Sequence, residues 1–312
     1  MKQFIRENYS GKNAVMCLTE ATITNYLAAA DIRPSSRVSY ARGLRPFTNW
    51  LEINGLRMED LTPAAIIEYK QSLLDKGLAP TTVAAYLNAA KQLCGWLAAA
   101  TGTVSPAATV KAPKVKKQFA KMHLTGEQAR ALEVAAATSS KRDGAIIALM
   151  LHTGLRCIEV SRANVEDLTY KGGRRVLMIQ GKGHDAKEDF VIISPKLDEI
   201  LTMYLRSRNA KKGEPLFVSE SDRNNGGRLT TRTISGVAKK ALRAIHLDDA
   251  MYTAHSLRHT TAVAILTKTN DLTAAQEVLR HANIATTQIY TASIREQRRL
   301  ERAAEYQLDE IF

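Results

Sequence analysis

The stretch from His255 to Tyr290 opens with "HSLRH" and closes with "LRHANIATTQIY", and it gathers side chains that can act on a phosphodiester. His255 and Arg258 are three residues apart, so they share a face if the segment is helical. His281 stands nine residues before Tyr290. An arginine holds phosphate oxygens in a planar fork, a histidine moves protons, and a tyrosine can be a nucleophile. The pattern therefore predicts phosphoryl-transfer chemistry.

The segment "TGLRCIEV" places another arginine where a helix begins. We expect a turn at Gly154 and a helix start at Arg156, with Glu159 one turn later, where it would orient the guanidinium of Arg156. The apolar neighbours favour burial of Arg156, and a buried arginine needs an anion. A surface arginine is the alternative interpretation.

The clear β region consists of "RRVLMIQ" (174–180) and "EDFVIIS" (188–194), which flank "GKGHDAK". This pattern predicts a hairpin with a glycine-rich turn, with Lys182 between Gly181 and Gly183. A lysine at such a tip is normally just solvated, but in a phosphoryl-transfer site it could protonate a leaving oxygen. The glycine spacing does not match a nucleotide-binding loop, so we reject an ATP site.

The spacing of apolar residues over 1–110 predicts a small bundle of about four amphipathic helices with short loops. The expected helix starts and caps are Thr19, Ser35 or Ser36, Thr62 with Pro63, and Pro80. The expected buried side chains of the second and third helices are Val38, Leu44, Phe47, Trp50, Leu51, Ile66, Ile67, Tyr69, Leu73 and Leu74.

Residues 125–312 predict a second, mainly helical domain around the hairpin, with a capping box formed by Thr125 and Gln128 at its first helix. The expected later helices are Arg142–His152, Pro195–Arg208, Thr230–Ile245, His255–Thr269 and Asp271–Arg280. The fold class is therefore mainly α with a small β-hairpin or sheet.

The composition of residues 111–124 predicts a basic linker, because proline and like charge favour an extended, exposed segment. Such a linker could run along a duplex, although an ordinary flexible linker would look the same. The candidate contacts to a DNA backbone are Arg37, Arg42, Arg45, Lys91, Lys114, Lys116 and Lys117, each of which could equally belong to a solvated surface.

The composition is strongly basic, with 44 Lys and Arg against 31 Asp and Glu and a net charge of +13. Such a protein usually meets a polyanion, most often nucleic acid. The three cysteines are far apart and in no metal spacing, which fits a reducing cytosol. The first residues have no apolar signal core, and no apolar run approaches the length of a membrane span, so we expect a cytoplasmic protein.

Four segments in this order, "TGLRCIEV", "GKGHDAKEDFVIIS", "HSLRHTTAVAIL" and "LRHANIATTQIYTAS", resemble the motifs of tyrosine site-specific recombinases, the phage-integrase and Xer family. The resemblance is strong over about 125–300. It is weaker over the first domain, which looks like the SAM-like core-binding domain of that family. The family fold would then be a helical core-binding domain followed by a tyrosine-recombinase catalytic domain.

The resemblance implies a role for each candidate residue. Arg156 and Arg258 would bind the scissile phosphate, and Lys182 would protonate the 5′-hydroxyl leaving group. His255 would be the acid/base partner of the tyrosine, and His281 would hydrogen-bond a phosphate oxygen. Tyr290 would attack and form a 3′-phosphotyrosine bond.

The family also implies partners and a sequence of events. Four protomers would assemble on two double-stranded DNA sites and exchange strands through a Holliday junction, in integration, excision or resolution, with no metal and no ATP. Accessory DNA-bending or regulatory proteins are possible partners. The apolar end of the tail, Leu308, Ile311 and Phe312, would dock on another copy of the protein or on its own core.

One position departs from the family pattern, since Arg280 stands where glycine usually precedes the histidine. Other functions stay open beside recombination. A type IB topoisomerase shares much of the catalytic set, and a basic helical scaffold could bind DNA without cleaving it. A zinc site at His255 and His259 is disfavoured, because the intervening residues lack the glutamate of the metalloprotease motif and no third ligand is evident.

Overall fold

The computed structural model describes residues 20–114, 122–181 and 186–280, together with Tyr306 and Ile311. The chain divides into two units, Met1–Gln118 and Phe119–Phe312.

The first unit is helical throughout its regular structure. Its helices are α1 (Glu20–Ala29), α2 (Pro34–Ile53), α3 (Pro63–Asp75) and α4 (Pro80–Thr101), with a short 3-10 turn at Met58–Asp60. The last three helices begin with proline, whose fixed φ suits the first helical position and whose missing N–H is not needed there. At α3 the hydroxyl of Thr62 also accepts a hydrogen bond from the Ala65 amide at 3.2 Å.

The core of this unit is built around aromatic side chains from α2 and α3. The ring of Phe47 lies 4.9 Å from that of Tyr69, and Trp50 lies 5.6 Å from the same tyrosine, measured between centroids. Helices α2 and α4 approach closely at Gly43, where an added Cβ would stand 2.9 Å from the Cβ of Ala89. The bundle predicted from the sequence is therefore present.

Several details predicted for this unit are wrong. Helix α2 begins at Pro34, so neither Ser35 nor Ser36 caps it, and Arg33 holds the cap position without a side-chain hydrogen bond. Val38 is 65% exposed and Ile67 is 49% exposed, although both were expected on buried faces. Each follows its helix's apolar pattern but lies at the edge of the stripe, where the neighbouring helices do not cover it.

The second unit contains seven helices and three strands among its described residues. They are α5 (Gly126–Ser139), α6 (Lys141–Thr153), α7 (Cys157–Arg162), β1 (Leu168–Lys171), β2 (Arg174–Ile179), β3 (Asp189–Ile192), α8 (Pro195–Ser207), α9 (Thr231–Ala244), α10 (Ala254–Thr269) and α11 (Leu272–Leu279), with short 3-10 turns at Val165–Asp167 and Asp222–Asn224. The capping box expected at α5 is present, since Thr125 and Gln128 exchange hydrogen bonds of 2.9 and 3.2 Å.

The strands form one antiparallel sheet in the order β1-β2-β3. Strands β2 and β3 are the two arms of the expected hairpin, with Leu177 opposite Val191. Strand β1 was not predicted, because only Leu168 of its four residues is buried and the segment lacks an apolar pattern. The sheet fixes where the two arms of the hairpin begin and end.

Helix α6 forms much of the centre of the second core, with Ile146, Ile147 and Leu149 fully buried. Its C-terminus delivers the chain to Gly154 and Arg156, while α10 packs beside it. The core therefore places the two arginine-bearing segments in one part of the unit.

Over the described ranges, no helix is long and apolar enough to span a lipid bilayer. In the C-terminal tail the structure describes Tyr306 and Ile311, and both are exposed. Leu308 and Phe312, which belong to the predicted docking element, lie outside the described residues.

The two tryptophans of the chain, Trp50 and Trp96, both lie in the first unit, so their fluorescence monitors that unit. We expect Phe47→Ala to lower the free energy of unfolding by about 3–5 kcal/mol, because it removes a fully buried ring. Val38→Ala should change it by less than about 0.5 kcal/mol, as at an ordinary exposed position. Denaturant titration followed by tryptophan emission would measure both. An equal loss of unfolding free energy in the two variants would contradict the exposed position of Val38.

Candidate active site

Arg258 is the largest fully buried side chain of the described residues, with 1% of its surface exposed. It lies on the second turn of α10. Its Nη1 donates to the backbone carbonyl of Gly154 at 2.5 Å, and its Nη2 donates to the backbone carbonyl of Leu279. One guanidinium therefore ties α10 to the turn before Arg156 and to the end of α11.

The turn that receives Arg258 requires glycine. Gly154 has a φ of 64°, a left-handed conformation that L residues with a Cβ seldom adopt. An added Cβ would also stand 2.7 Å from Cδ2 of Leu279. Gly154 ends α6, and Arg156 begins the next helix two residues later. The close approach at Gly154 therefore fixes the position of Arg156.

Glu159 holds the side chain of Arg156, as the sequence predicts. Nη1 of Arg156 donates to Oε1 of Glu159 at 2.8 Å, and the Arg156 amide donates to Oε2 at 2.7 Å. Glu159 is 1% exposed and Arg156 is 29% exposed. The carboxylate is therefore buried beneath a guanidinium that remains partly open to solvent.

A second arginine reaches the same carboxylate. Nη2 of Arg280 donates to Oε2 of Glu159 at 3.1 Å, and Nη1 of Arg280 donates to the carbonyl of Val278 at 2.7 Å. Burial lowers the pKa of the Arg280 guanidinium from its ordinary value, while the charge of Glu159 opposes that change. Arginine nevertheless keeps its proton in proteins.

The three guanidiniums of Arg156, Arg258 and Arg280 outnumber the carboxylates that act on them, which are Glu159 through hydrogen bonds and Asp189 through its charge. Buried cations need anions or well-placed acceptors. A cluster with this excess, partly open at Arg156, is suited to a phosphate group, whose oxygens accept charge-assisted hydrogen bonds.

His255 stands at the first turn of α10 and is exposed, although Arg258 three residues later is buried. Its ring lies edge-on to His259, with 4.5 Å between centroids. Within the ranges that the structure covers, no group of three or more His, Cys, Asp or Glu side chains is placed to hold a metal ion.

Lys182 lies outside the described residues, but both ends of its loop are held. Nη1 of Arg162 donates to the carbonyl of Gly181 at 3.4 Å. On the other side, Nζ of Lys187 donates to Oδ2 of Asp167 at 2.5 Å, and Asp167 is buried. These contacts anchor the hairpin arms on either side of residues 182–185.

His281 and Tyr290 also lie outside the described residues. The last continuous range that the structure describes ends at Arg280, the residue before His281. Among the predicted catalytic residues the structure therefore describes Arg156, His255 and Arg258, and it links the segments of Arg156 and Arg258 directly.

The predicted DNA contacts of the first unit differ in their surroundings. Arg37, Arg42 and Arg45 on α2 are exposed, and none pairs with a carboxylate of the described residues. Nζ of Lys91 instead donates to the carbonyl of Val110 at 2.8 Å. Lys114 is exposed, while Lys116 and Lys117 lie outside the described residues.

Sequence reasoning left the function of Arg280 open and missed Arg162 and the carbonyl of Leu279. A signal for Arg280 was the end of the helical pattern at Leu279, which places the next residue at a helix C-terminus. No local pattern shows which distant carboxylate such a residue will meet.

Two family models match this chain. The one described as "Phage integrase family" matches residues 122–297, and "Phage integrase, N-terminal SAM-like domain" matches residues 21–101. The tyrosine recombinase XerC of Thermodesulfovibrio yellowstonii is 30% identical over 292 residues, which cover 88% of this chain and 93% of that protein. The chain therefore belongs to the phage integrase family of tyrosine site-specific recombinases, enzymes that cleave and rejoin DNA.

Solved structures share the fold. The XerH recombinase in a post-cleavage complex with its difH substrate has a TM-score of 0.72 and 20% identity, over 97% of this chain and 93% of that one. A lambda integrase tetramer bound to a Holliday junction has a TM-score of 0.64 and 18% identity, over 93% and 84% of the two chains. The expected combination of a helical first domain and a mainly helical second domain with a small sheet is confirmed.

We expect Gly154→Ala to destabilise the second unit more than Gly172→Ala does. Both positions have a positive φ, which costs about 1–2 kcal/mol for an L residue. Only at Gly154 would the new methyl group also meet Leu279, and such overpacking adds about 1–3 kcal/mol, whereas nothing lies within 4 Å at Gly172. Calorimetric unfolding would measure both variants, and equal losses would contradict the close approach.

Proposed function

We propose that six side chains carry DNA cleavage and rejoining in this recombinase: Arg156, Lys182, His255, Arg258, His281 and Tyr290. The observation that carries the proposal is the buried guanidinium of Arg258. It is hydrogen-bonded both to the turn that precedes Arg156 and to the last residue of α11, two positions before His281.

In the proposed reaction the phenolic oxygen of Tyr290 attacks the scissile phosphorus while the bond from phosphorus to the 5′-oxygen breaks. The tyrosine proton passes to His255, and Lys182 gives a proton to the departing 5′-oxygen. A free phenol has a pKa of about 10 and is a weak nucleophile at neutral pH. Nearby cations favour its ionised form, which is why a positively charged site suits this nucleophile.

Arg156 and Arg258 would stabilise the charge that develops on the non-bridging oxygens, with His281 as a further donor. Losing one such donor commonly costs about 3 kcal/mol, or roughly a hundredfold in rate. Because the 3′-phosphotyrosine keeps a phosphoester bond, attack by a 5′-hydroxyl from another strand rejoins the DNA by the reverse chemistry. The proposed cycle uses neither ATP nor a metal ion.

We further propose a domain plan and an assembly for this reaction. Residues 1–110 would bind the core site, residues 111–124 would follow the DNA backbone, and residues 125–312 would cleave. As in the lambda integrase tetramer on a Holliday junction, four protomers would assemble on two duplex sites. The C-terminal tail would join them, and accessory DNA-bending or regulatory proteins could assist. We place this work in the cytoplasm.

We expect Tyr290→Phe to abolish the covalent adduct with a nicked duplex. On this substrate the cleaved strand end diffuses away, so rejoining fails and the active protein stays attached to the DNA. Tyr306→Phe should still form the adduct, since Tyr306 is an exposed tyrosine of the tail. Denaturing gel electrophoresis of labelled DNA would show both results. An adduct in the Tyr290→Phe protein would contradict the assignment of the nucleophile.

The same adduct separates the recombinase from the alternatives. A protein that only binds DNA forms no adduct. A type IB topoisomerase forms one but relaxes supercoils without pairing two sites, whereas a recombinase needs two sites to exchange strands. A two-site recombination assay beside a supercoil-relaxation assay would distinguish these enzymes.

We expect Arg42→Gln and Arg45→Gln each to weaken DNA binding in a salt-dependent way. Removing one phosphate-binding cation makes the slope of log K against log salt concentration shallower by about 0.9. Arg57→Gln is the matched control, because Arg57 is exposed but already paired with Glu59 at 3.0 Å and Asp60 at 3.4 Å. Fluorescence anisotropy across a salt series would measure the slopes. Unchanged slopes for Arg42→Gln and Arg45→Gln would show that these arginines do not contact the DNA.

A further inference from the structure

Arg280 has a backbone conformation that is unusual for its residue type. It ends α11 with φ 54° and ψ 52°, in the left-handed region. The described non-glycine residues with positive φ are Asn209, His246, Asn270 and Arg280. Asparagine and histidine are enriched in this region, whereas a long side chain is not. An outlier of this kind persists where the surroundings hold it, so the side chain of Arg280 needs an explanation.

The contacts of the side chain provide that explanation. Oε1 of Glu159 accepts from the guanidinium of Arg156 at 2.8 Å. Oε2 accepts from the Arg156 amide at 2.7 Å and from Arg280 at 3.1 Å. With Arg280 in place, both oxygens face a cation and the plane of the buried carboxylate is fixed. The fork of Arg156 takes its orientation from that plane.

We infer that Arg280 is a positioning residue of the cleavage site, which fixes Glu159 and through it the guanidinium of Arg156. The inference rests on the proposed role of Arg156. Arg280 directly precedes His281 in the sequence, so one residue sets the orientation of Arg156 and the point from which the chain continues to His281.

A direct contact between Arg280 and the DNA phosphate is the competing role. Both Nη atoms of Arg280 already donate to protein acceptors, and the side chain is 10% exposed. Arg156 is nearly three times as exposed and is the guanidinium of this pair that faces solvent. Arg258 is also buried, but its Nη atoms donate to backbone carbonyls, whereas Nη2 of Arg280 donates to the carboxylate that holds Arg156. This shared carboxylate favours an effect through Arg156.

The test is single-turnover cleavage of the nicked duplex at saturating protein, together with the Kd for the same DNA. Arg280→Gly removes the side chain and retains the left-handed conformation. We expect the cleavage rate to fall about 10- to 100-fold, as for a small misplacement of a reacting group, with an unchanged Kd. Asn209→Gly is the matched control, since it makes the same kind of change at a left-handed position on α8's C-terminal side and should cleave at the wild-type rate.

A double-mutant cycle separates positioning from direct contact. In an Arg156→Lys background, Arg280→Gly should have little further effect, because residues that act as one unit are not additive. The inference would be overturned if Arg280→Gly lowered the cleavage rate by the same factor in both backgrounds. A wild-type cleavage rate in Arg280→Gly, or a raised Kd for the DNA, would also overturn it. If circular dichroism shows the glycine variant unfolded, Arg280→Asn gives the same test, since asparagine also tolerates this conformation.

The two proposals fail differently. If the wild-type protein itself forms no Tyr290-dependent adduct, the proposed function falls and this inference falls with it. If the wild type cleaves and Arg280→Gly cleaves equally fast, only the positioning role of Arg280 is lost.

Discussion

The hydrogen bonds from Arg258 to two backbone carbonyls join parts of the second unit that are far apart in sequence. A guanidinium removed from water is stable only when acceptors replace the water it has lost. Gly154 and Leu279 supply such acceptors, and each lies two positions before a residue of the proposed site, Arg156 and His281. Arg258 can therefore serve the fold and the reaction together, since its anchoring also determines how the neighbouring segments approach a phosphate.

Local chemistry explains why much of the fold could be predicted. Proline at helix starts and the capping box at Thr125 are short-range signals that each act within one turn. The order of the four quoted segments was sufficient to indicate the family, which the comparisons confirm. The same reasoning predicted the pairing of Arg156 with Glu159, because those residues are three positions apart on one helix.

Contacts between distant segments could not be predicted in the same way. Arg280 and Glu159 are separated by 121 positions, and only the packed fold brings them together. Val38 and Ile67 show the related error for burial, since periodicity gives the apolar stripe but not which edge the neighbouring helices cover. The roles of Lys182, His281 and Tyr290, and the domain boundaries, stay predictions.

The shared carboxylate of Glu159 also restricts the order in which a lineage could change this cluster. Losing Glu159 first would leave Arg156 and Arg280 as like charges around a buried gap, a state that is poorly tolerated. Losing Arg280 first leaves one intact ion pair. By charge balance alone, loss of Arg280 is therefore the milder first step, because Glu159 and Arg156 still neutralise each other.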